Sequence, residues 1–180
     1  MKYFSLLTLS LLALIFFSCE SKSTKKDKTE NVKAQIDSLE SLREIDAIKF
    51  YQLGHGELLA KAYEKFASDT KDELKAAEKL FQAAKEYQGA VKDPKKAVEL
   101  ISKLEKDYPE YGKMPEALFY LGFVYENELG DLDKAEKYYK KVMKKYPDHR
   151  FAEQAKAALE LLGMSAEEVI EQFKKNQEEE

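Results

Sequence analysis
The sequence predicts an all-α protein, a short solenoid of repeated helix pairs, and three observations carry that expectation. Glycine and proline number only 7 and 4 in 180 residues, while Ala, Leu, Glu and Lys recur at helical spacing. The stretch Leu80 to Pro109 overlays Leu118 to Pro147 at a displacement of 38 residues. A single cysteine, Cys19, cannot pair within the chain, so stability must come from packed helix faces.

Taken from the amino terminus, residues 1–18 carry one charge, Lys2, followed by an apolar run from Tyr3 to Phe17 that is short for a membrane-spanning helix. This reads as a signal peptide. The run ends in Phe16-Phe17-Ser18-Cys19, and a small residue directly before the lone cysteine resembles the bacterial lipobox, although Phe17 stands where that pattern usually has a smaller residue. The resemblance implies lipid attachment at Cys19: the sulfur takes a diacylglycerol, the freed amine a third acyl chain, and several buried chains hold durably to a membrane. It implies a lipid-anchored place in the bacterial cell envelope, with the outer membrane facing the periplasm as the expected site. The alternative is an ordinary signal peptide cut near Ser18, which leaves an exported chain with an unpaired reactive thiol.

Residues 19–30 follow as a tether, dense in Ser, Thr, Lys and acids and too poor in apolar groups to offset their ordering entropy. Loss of the signal peptide removes only Lys2, taking the net charge from −4 to −5 and excluding nucleic acid as the main partner. About 150 residues remain for structure, enough for one domain.

Residues 31–53 predict a helix whose apolar positions, Val32, Ile36, Leu39, Leu42, Ile45 and Ile48, drift around its surface. A coiled coil needs a steady seam over several heptads, so the helix either docks on the repeats or self-associates.

Residues 54–163 hold the repeats. Leu80 falls on Leu118, Phe81 on Phe119, Ala84 on Gly122, Tyr87 on Tyr125, Asp93 on Asp131, Ala97 on Ala135 and Tyr108-Pro109 on Tyr146-Pro147. In the second copy Leu118, Leu121, Tyr125 and Leu129 form one helical stripe, and Ala135, Tyr139, Val142 and Tyr146 another. Each copy is therefore two helices. Gly130 suits a left-handed helix end and Asp131 an amino-terminal cap; Asp93 caps the equivalent helix, with Pro94 in its first turn. Ala84 or Gly122 on one helix, and Ala97 or Ala135 on the other, let the backbones approach. A step of 38 back from Ile101 and Leu104 reaches Tyr63 and Phe66, so Glu57 to Ala67 predicts the second helix of an earlier, decayed copy. A step forward from Leu121 reaches Leu159 on a helix from about Phe151 to Leu162, ended by Gly163.

Residues 164–180 complete the chain. Ser165-Ala166-Glu167-Glu168 reads as a capping box for a last helix that seals the stack with Val169, Ile170 and Phe173.

In that order Leu118, Leu121, Gly122, Tyr125, Ala135, Tyr139, Val142 and Pro147 resemble the tetratricopeptide consensus. The usual period is about 34 residues; this chain has one extra residue in the turn within the pair and three between Pro109 and Leu118, with Leu in place of the frequent first Trp and Ala84 in place of the Gly. On a lipid anchor, such lengthened repeats resemble outer-membrane tetratricopeptide lipoproteins of the BamD and YbgF kind. The resemblance implies a right-handed solenoid whose first helices line a concave groove. That groove would present Glu78, Phe81, Gln82, Lys85 and Gln88 from one copy and Glu116, Phe119, Tyr120, Phe123, Glu126 and Asn127 from the next, with Phe119 and Phe123 as an apolar step. The partner implied is an envelope protein or peptide segment, taken up as a helix or extended strand. Alternatively residues 31–53 or 165–175 cover the groove and the lipoprotein is structural and self-associating. The peptide-carboxylate clamp of chaperone-binding relatives does not carry over, because Glu78 and Glu116 stand where basic or amide groups would be needed.

Catalysis, a metal and a cofactor are not expected. His55 and His149 stand alone, each at a helix entry, and no HExxH, GxSxG, phosphate-loop or dinucleotide fingerprint occurs. The abundant carboxylates lie one turn from lysines, as solvated helix faces do. Lys140-Lys141 and Lys144-Lys145 could touch anionic lipid, but interleaved acids favour a solvated face.

Overall fold
The computed structural model describes residues 25–178, so the signal peptide, Cys19 and the tether through position 24 lie outside the described residues. The described part is all-helical. Helix α1 (Lys25–Ile45) is followed by a one-and-a-half-turn α2 (Ala47–Gln52), then α3 (His55–Asp69), α4 (Glu73–Glu86), α5 (Pro94–Asp107), α6 (Met114–Asn127), α7 (Leu132–Lys145), α8 (Arg150–Leu161) and α9 (Ala166–Glu178). These stack as a tetratricopeptide-like solenoid, in which α4 and α5 form one copy and α6 and α7 the next.

Two departures from expectation occur at the start. The helix begins at Lys25, so positions 25–30, expected as tether, are helical. No Gly or Pro interrupts them, and a docked helix propagates cheaply outward once its nucleus is formed. The helix expected over residues 31–53 is also broken in two at Asp46, which is extended (φ −153°) and whose carboxylate accepts from the Lys49 amide at 2.9 Å. A short acid competes with the backbone in this way. The resulting corner lets Ile36 and Leu39 of α1 pack beside α3 while Phe50 turns into the core; all three are buried. The docking expected of this segment is what the structure has.

The second helices repeat their inward positions faithfully. Leu59, Ala97 and Ala135 are equivalent, as are Tyr63, Ile101 and Tyr139, and Phe66, Leu104 and Val142; all nine are buried. Helix α3 is therefore the second helix of an earlier pair, and α1 serves as its first. The tyrosines make this concrete: Tyr139 of α7 donates its hydroxyl to Glu126 of α6 at 2.6 Å, and Tyr63 of α3 donates to Glu40 of α1 at 2.6 Å. Burial with that bond raises both phenol pKa values.

The turn within each pair is built the same way twice. The Asp93 amide donates to Tyr87 O and the Asp131 amide to Tyr125 O, both at 2.8 Å, and each aspartate then caps the next helix by accepting from Lys96 or Lys134. Closing this loop needs a left-handed residue, which is Gly130 (φ +65°) in one copy and Lys92 (φ +61°) in the other. A side chain there costs about 1–2 kcal/mol. Lys92→Gly is therefore expected to stabilise the protein by about 0.5–1 kcal/mol, the remainder being lost to the freer unfolded chain; the midpoint of urea unfolding measures it. The first copy also widens its helix end into a π-turn, Tyr87–Val91.

At the carboxyl end Gly163 (φ +80°) terminates α8, and the capping box forms as expected: Ser165 Oγ accepts from the Glu168 amide at 3.2 Å and the Glu168 carboxylate from the Ser165 amide at 2.7 Å. The expected seal is only partly present. Val169 is half-buried, Ile170 is exposed, and the Phe173 side chain lies outside the described residues.

Candidate protein-binding surface
The first helices α1, α4, α6 and α8 lie side by side in one row, and the side chains that join them decide what the row can offer. Between α1 and α4, Lys79 bonds Glu40 at 3.2 Å and Arg43 bonds Glu86 at 2.8 Å. Burial of Glu86 raises its pKa despite the guanidinium. Between α4 and α6, Lys113 pairs with Glu78 at 3.0 Å and the Tyr111 hydroxyl donates to the same carboxylate. Burial pushes the Glu78 pKa up, but these two donors hold it below the ordinary value.

Phe81 does not line a groove. It is 1 % exposed and packs edge-on against Tyr111 and Tyr120, with ring centroids 6.5 and 6.0 Å apart. Phe119, its equivalent, is half-buried and meets Tyr139 at 5.4 Å and Phe151 of α8 at 5.3 Å. The expected Phe119–Phe123 step is therefore not formed: both phenylalanines at this repeat position face the first helix of the following pair. Phe123 instead lies nearly parallel to Tyr120, centroids 6.1 Å apart and planes at 21°, with its own side chain 37 % exposed.

The other expected groove residues divide by how fully they are engaged. The Tyr120 hydroxyl donates to Gln88 Oε1 at 2.8 Å, and Gln88 Nε2 donates on to Glu128 at 2.6 Å. Burial pushes the Tyr120 phenol up to about 12. Glu126 is held by Tyr139 as described, and Asn127 Nδ2 donates to its own helix at Phe123 O. Gln82 is half-buried with no hydrogen-bond partner for Oε1 among the described residues. Lys85 reaches Glu116 at 3.9 Å and lies over the Phe81 ring at 4.6 Å. An ion pair this long and exposed contributes little, so Lys85 and Glu116 remain free to meet a partner. The accessible set is thus Lys85, Glu116, Tyr120, Phe123 and Asn127, with Glu128 added by the structure.

Tyr111 escaped the sequence reading. It sits in the lengthened stretch after Pro109, is 7 % exposed, and fills the joint between copies by touching both Phe81 and Glu78. Its signal was available: an aromatic residue inside an insertion that otherwise needs only polar groups.

Residues 116–149 match the tetratricopeptide repeat family model. That span runs from the first turn of α6 through α7 to the cap of α8, and it contains the Tyr120–Phe123 pair. No curated protein matches the chain. The tetratricopeptide repeat is an interaction module in general, and α4–α5 repeats the architecture of the matched span with a wider turn and a longer connection.

Proposed function
We propose that the chain is a membrane-anchored adaptor of the bacterial cell envelope, lipidated at Cys19, that holds a segment of another envelope protein on its first-helix face. The observation that carries this reading is the exposed Phe123, stacked on a tyrosine whose own hydroxyl is already satisfied within the fold. Such a ring is rigid and presented, and needs little reordering to receive an apolar side chain. Lys85 and Glu116 of the accessible set supply both charge signs, and Asn127 supplies an amide for a peptide backbone. The resemblance of Ser18-Cys19 to a lipobox supports the anchor, and the likeness to outer-membrane tetratricopeptide lipoproteins supports a place on that membrane, facing the periplasm. Anchoring raises the local concentration of the module near membrane-bound partners, so a modest intrinsic affinity suffices.

The test is in-cell crosslinking of the lipoprotein, affinity capture, and mass spectrometry of what stays attached. Phe123→Ala should lower recovery of the partner roughly tenfold or more, as loss of an aromatic anchor worth about 2 kcal/mol does, with helix content unchanged. The same capture from a Cys19→Ser chain, which cannot be acylated, separates the anchor's contribution from that of the face. Undiminished recovery by Phe123→Ala would overturn the assignment of this surface.

A further inference from the structure
The face described above does not end at Lys85. Beside that residue the first copy opens into a hollow of about 570 Å³, walled by Tyr51, Glu86, Gly89 and Ala90 as well as by Lys85 itself, a size that takes a side chain and the backbone carrying it. Two features that the second copy lacks create it. The π-turn Tyr87–Val91 carries Gly89 and Ala90, and the corner at Asp46 brings α2 round so that Tyr51 adds a wall. These walls are held in place. Gly56 of α3 is buried, and an added Cβ there would come within 2.5 Å of Ala90 Cβ and 3.0 Å of the Tyr51 ring, so only glycine lets both press onto α3. Tyr51 also meets Phe50 edge-on at 5.2 Å and donates its hydroxyl to Glu86 at 3.4 Å. At Gly89 the hollow is open: an added Cβ would meet nothing within 4 Å.

Position and charge say what enters. Lys85 is the residue that the 38-residue displacement sets in register with Phe123, so the hollow continues the Phe123 face onto the preceding first helix. Of the two charged groups lining it, Glu86 is answered by Arg43 at 2.8 Å, whereas exposed Lys85 reaches Glu116 only at 3.9 Å and stays available at the mouth. We propose that the segment held by Phe123 runs on into this hollow, where a second apolar side chain fills the space over Gly89 and Ala90 and an acidic residue between the two apolar anchors meets Lys85. Packed helices lie about 8–10 Å apart and an extended chain advances about 3.3 Å per residue, which sets the two anchors about three residues apart. This inference rests on the adaptor reading above and adds to it the chemistry of the partner: apolar, acidic, apolar, in a segment that crosses from α6 to α4.

In the experiment the full chain, purified from cells in detergent, selects from a library of random peptides displayed on phage, and a selected peptide is labelled and titrated by fluorescence anisotropy. Wild-type protein should enrich peptides with two apolar residues about three apart and Asp or Glu between them. Gly89→Leu fills the hollow and should weaken the labelled peptide about tenfold or more, and selection on this variant should keep one apolar position and lose the other. Gly89 has no left-handed backbone and leucine favours a helix over glycine, so circular dichroism should show the fold intact. Lys85→Glu, which alters an exposed side chain, should turn the acidic preference into a basic one and keep both apolar positions. Peptides that depend on Phe123 yet bind Gly89→Leu as tightly as wild type overturn this inference and leave the adaptor reading standing, as does a preference for neutral or basic residues between the anchors of wild-type peptides. No enrichment at all, or binding indifferent to Phe123→Ala, overturns both.

Discussion
Phe81→Ala is expected to destabilise the protein by about 3–5 kcal/mol, the cost of emptying a well-packed aromatic site, read as a lowered midpoint in urea or thermal unfolding followed by circular dichroism. Out of a typical total of about 5–15 kcal/mol, that is a large share. The ring is almost fully buried and stands between Tyr111 and Tyr120, so its removal leaves both without their edge-on neighbour and opens the joint between α4 and α6. A surface groove residue would behave otherwise, since an exposed substitution usually stays within about 0.5 kcal/mol. A small effect here would show that the two copies are not closed over Phe81.

Gly122→Ala should also destabilise, by about 1–2 kcal/mol, against the sign that helix propensity alone gives. In an open helix the change would gain nearly 1 kcal/mol. Here an added Cβ would come within 2.7 Å of the Tyr139 ring, which is 1 % exposed, pressed against Phe119 and pinned through its hydroxyl to Glu126. It has nowhere to move, and overpacking of this kind costs about 1–3 kcal/mol. The first copy has solved the same problem differently: Ala84 and Ile101 occupy the equivalent positions, and both are fully buried. Gly122→Ala together with Tyr139→Ile recreates that pairing, so the double variant should be more stable than the sum of the two single effects. Simple additivity in the unfolding free energies would show that the two sites do not touch.

These two cases also explain what could be read from the chain in advance. Residues whose role is settled within one helix or one pair were legible: the aspartate caps, Gly130, the Ser165–Glu168 box, and the inward stripes of α5 and α7. Each depends on spacing of four residues or fewer, or on the 38-residue repeat itself. Phe81 and Phe119 were not legible, because on their own helix they lie off the packing stripe and look outward; Phe81 finds Tyr111 and Tyr120 only when the next copy stacks, and Phe119 needs Phe151 of α8 as well as Tyr139 of its own pair. Glu78, Gln88 and Glu126 are polar residues that appear free until a tyrosine from elsewhere in the stack takes them: Tyr111 of the connection after α5, Tyr120 of α6 and Tyr139 of α7. Asp46 broke an apparently continuous helix: its carboxylate caps the Lys49 amide, and the corner turns Phe50 into the core. Of the groove foreseen, the accessible remainder centres on Phe123, which faces no neighbouring pair.

The joints between first helices differ in what they are made of, and this gives the stack a direction. The one between α4 and α6 combines Phe81, Tyr111 and Tyr120 with an ion pair and hydrogen bonds. The one between α6 and α8 rests on Phe119 against Phe151, and the fully or nearly buried positions of α8 are the small residues Ala152 and Ala155. Beyond that ring contact, the larger side chains at this end that reach the core, Leu159 and Leu162, are only partly buried. In a linear array each unit leans only on its neighbours, so opening starts where a unit has least to lose. The protein thus carries its own order of disassembly: α8 and α9 loosen before the Phe123 surface is disturbed, and the carboxyl end can yield while that surface keeps its shape.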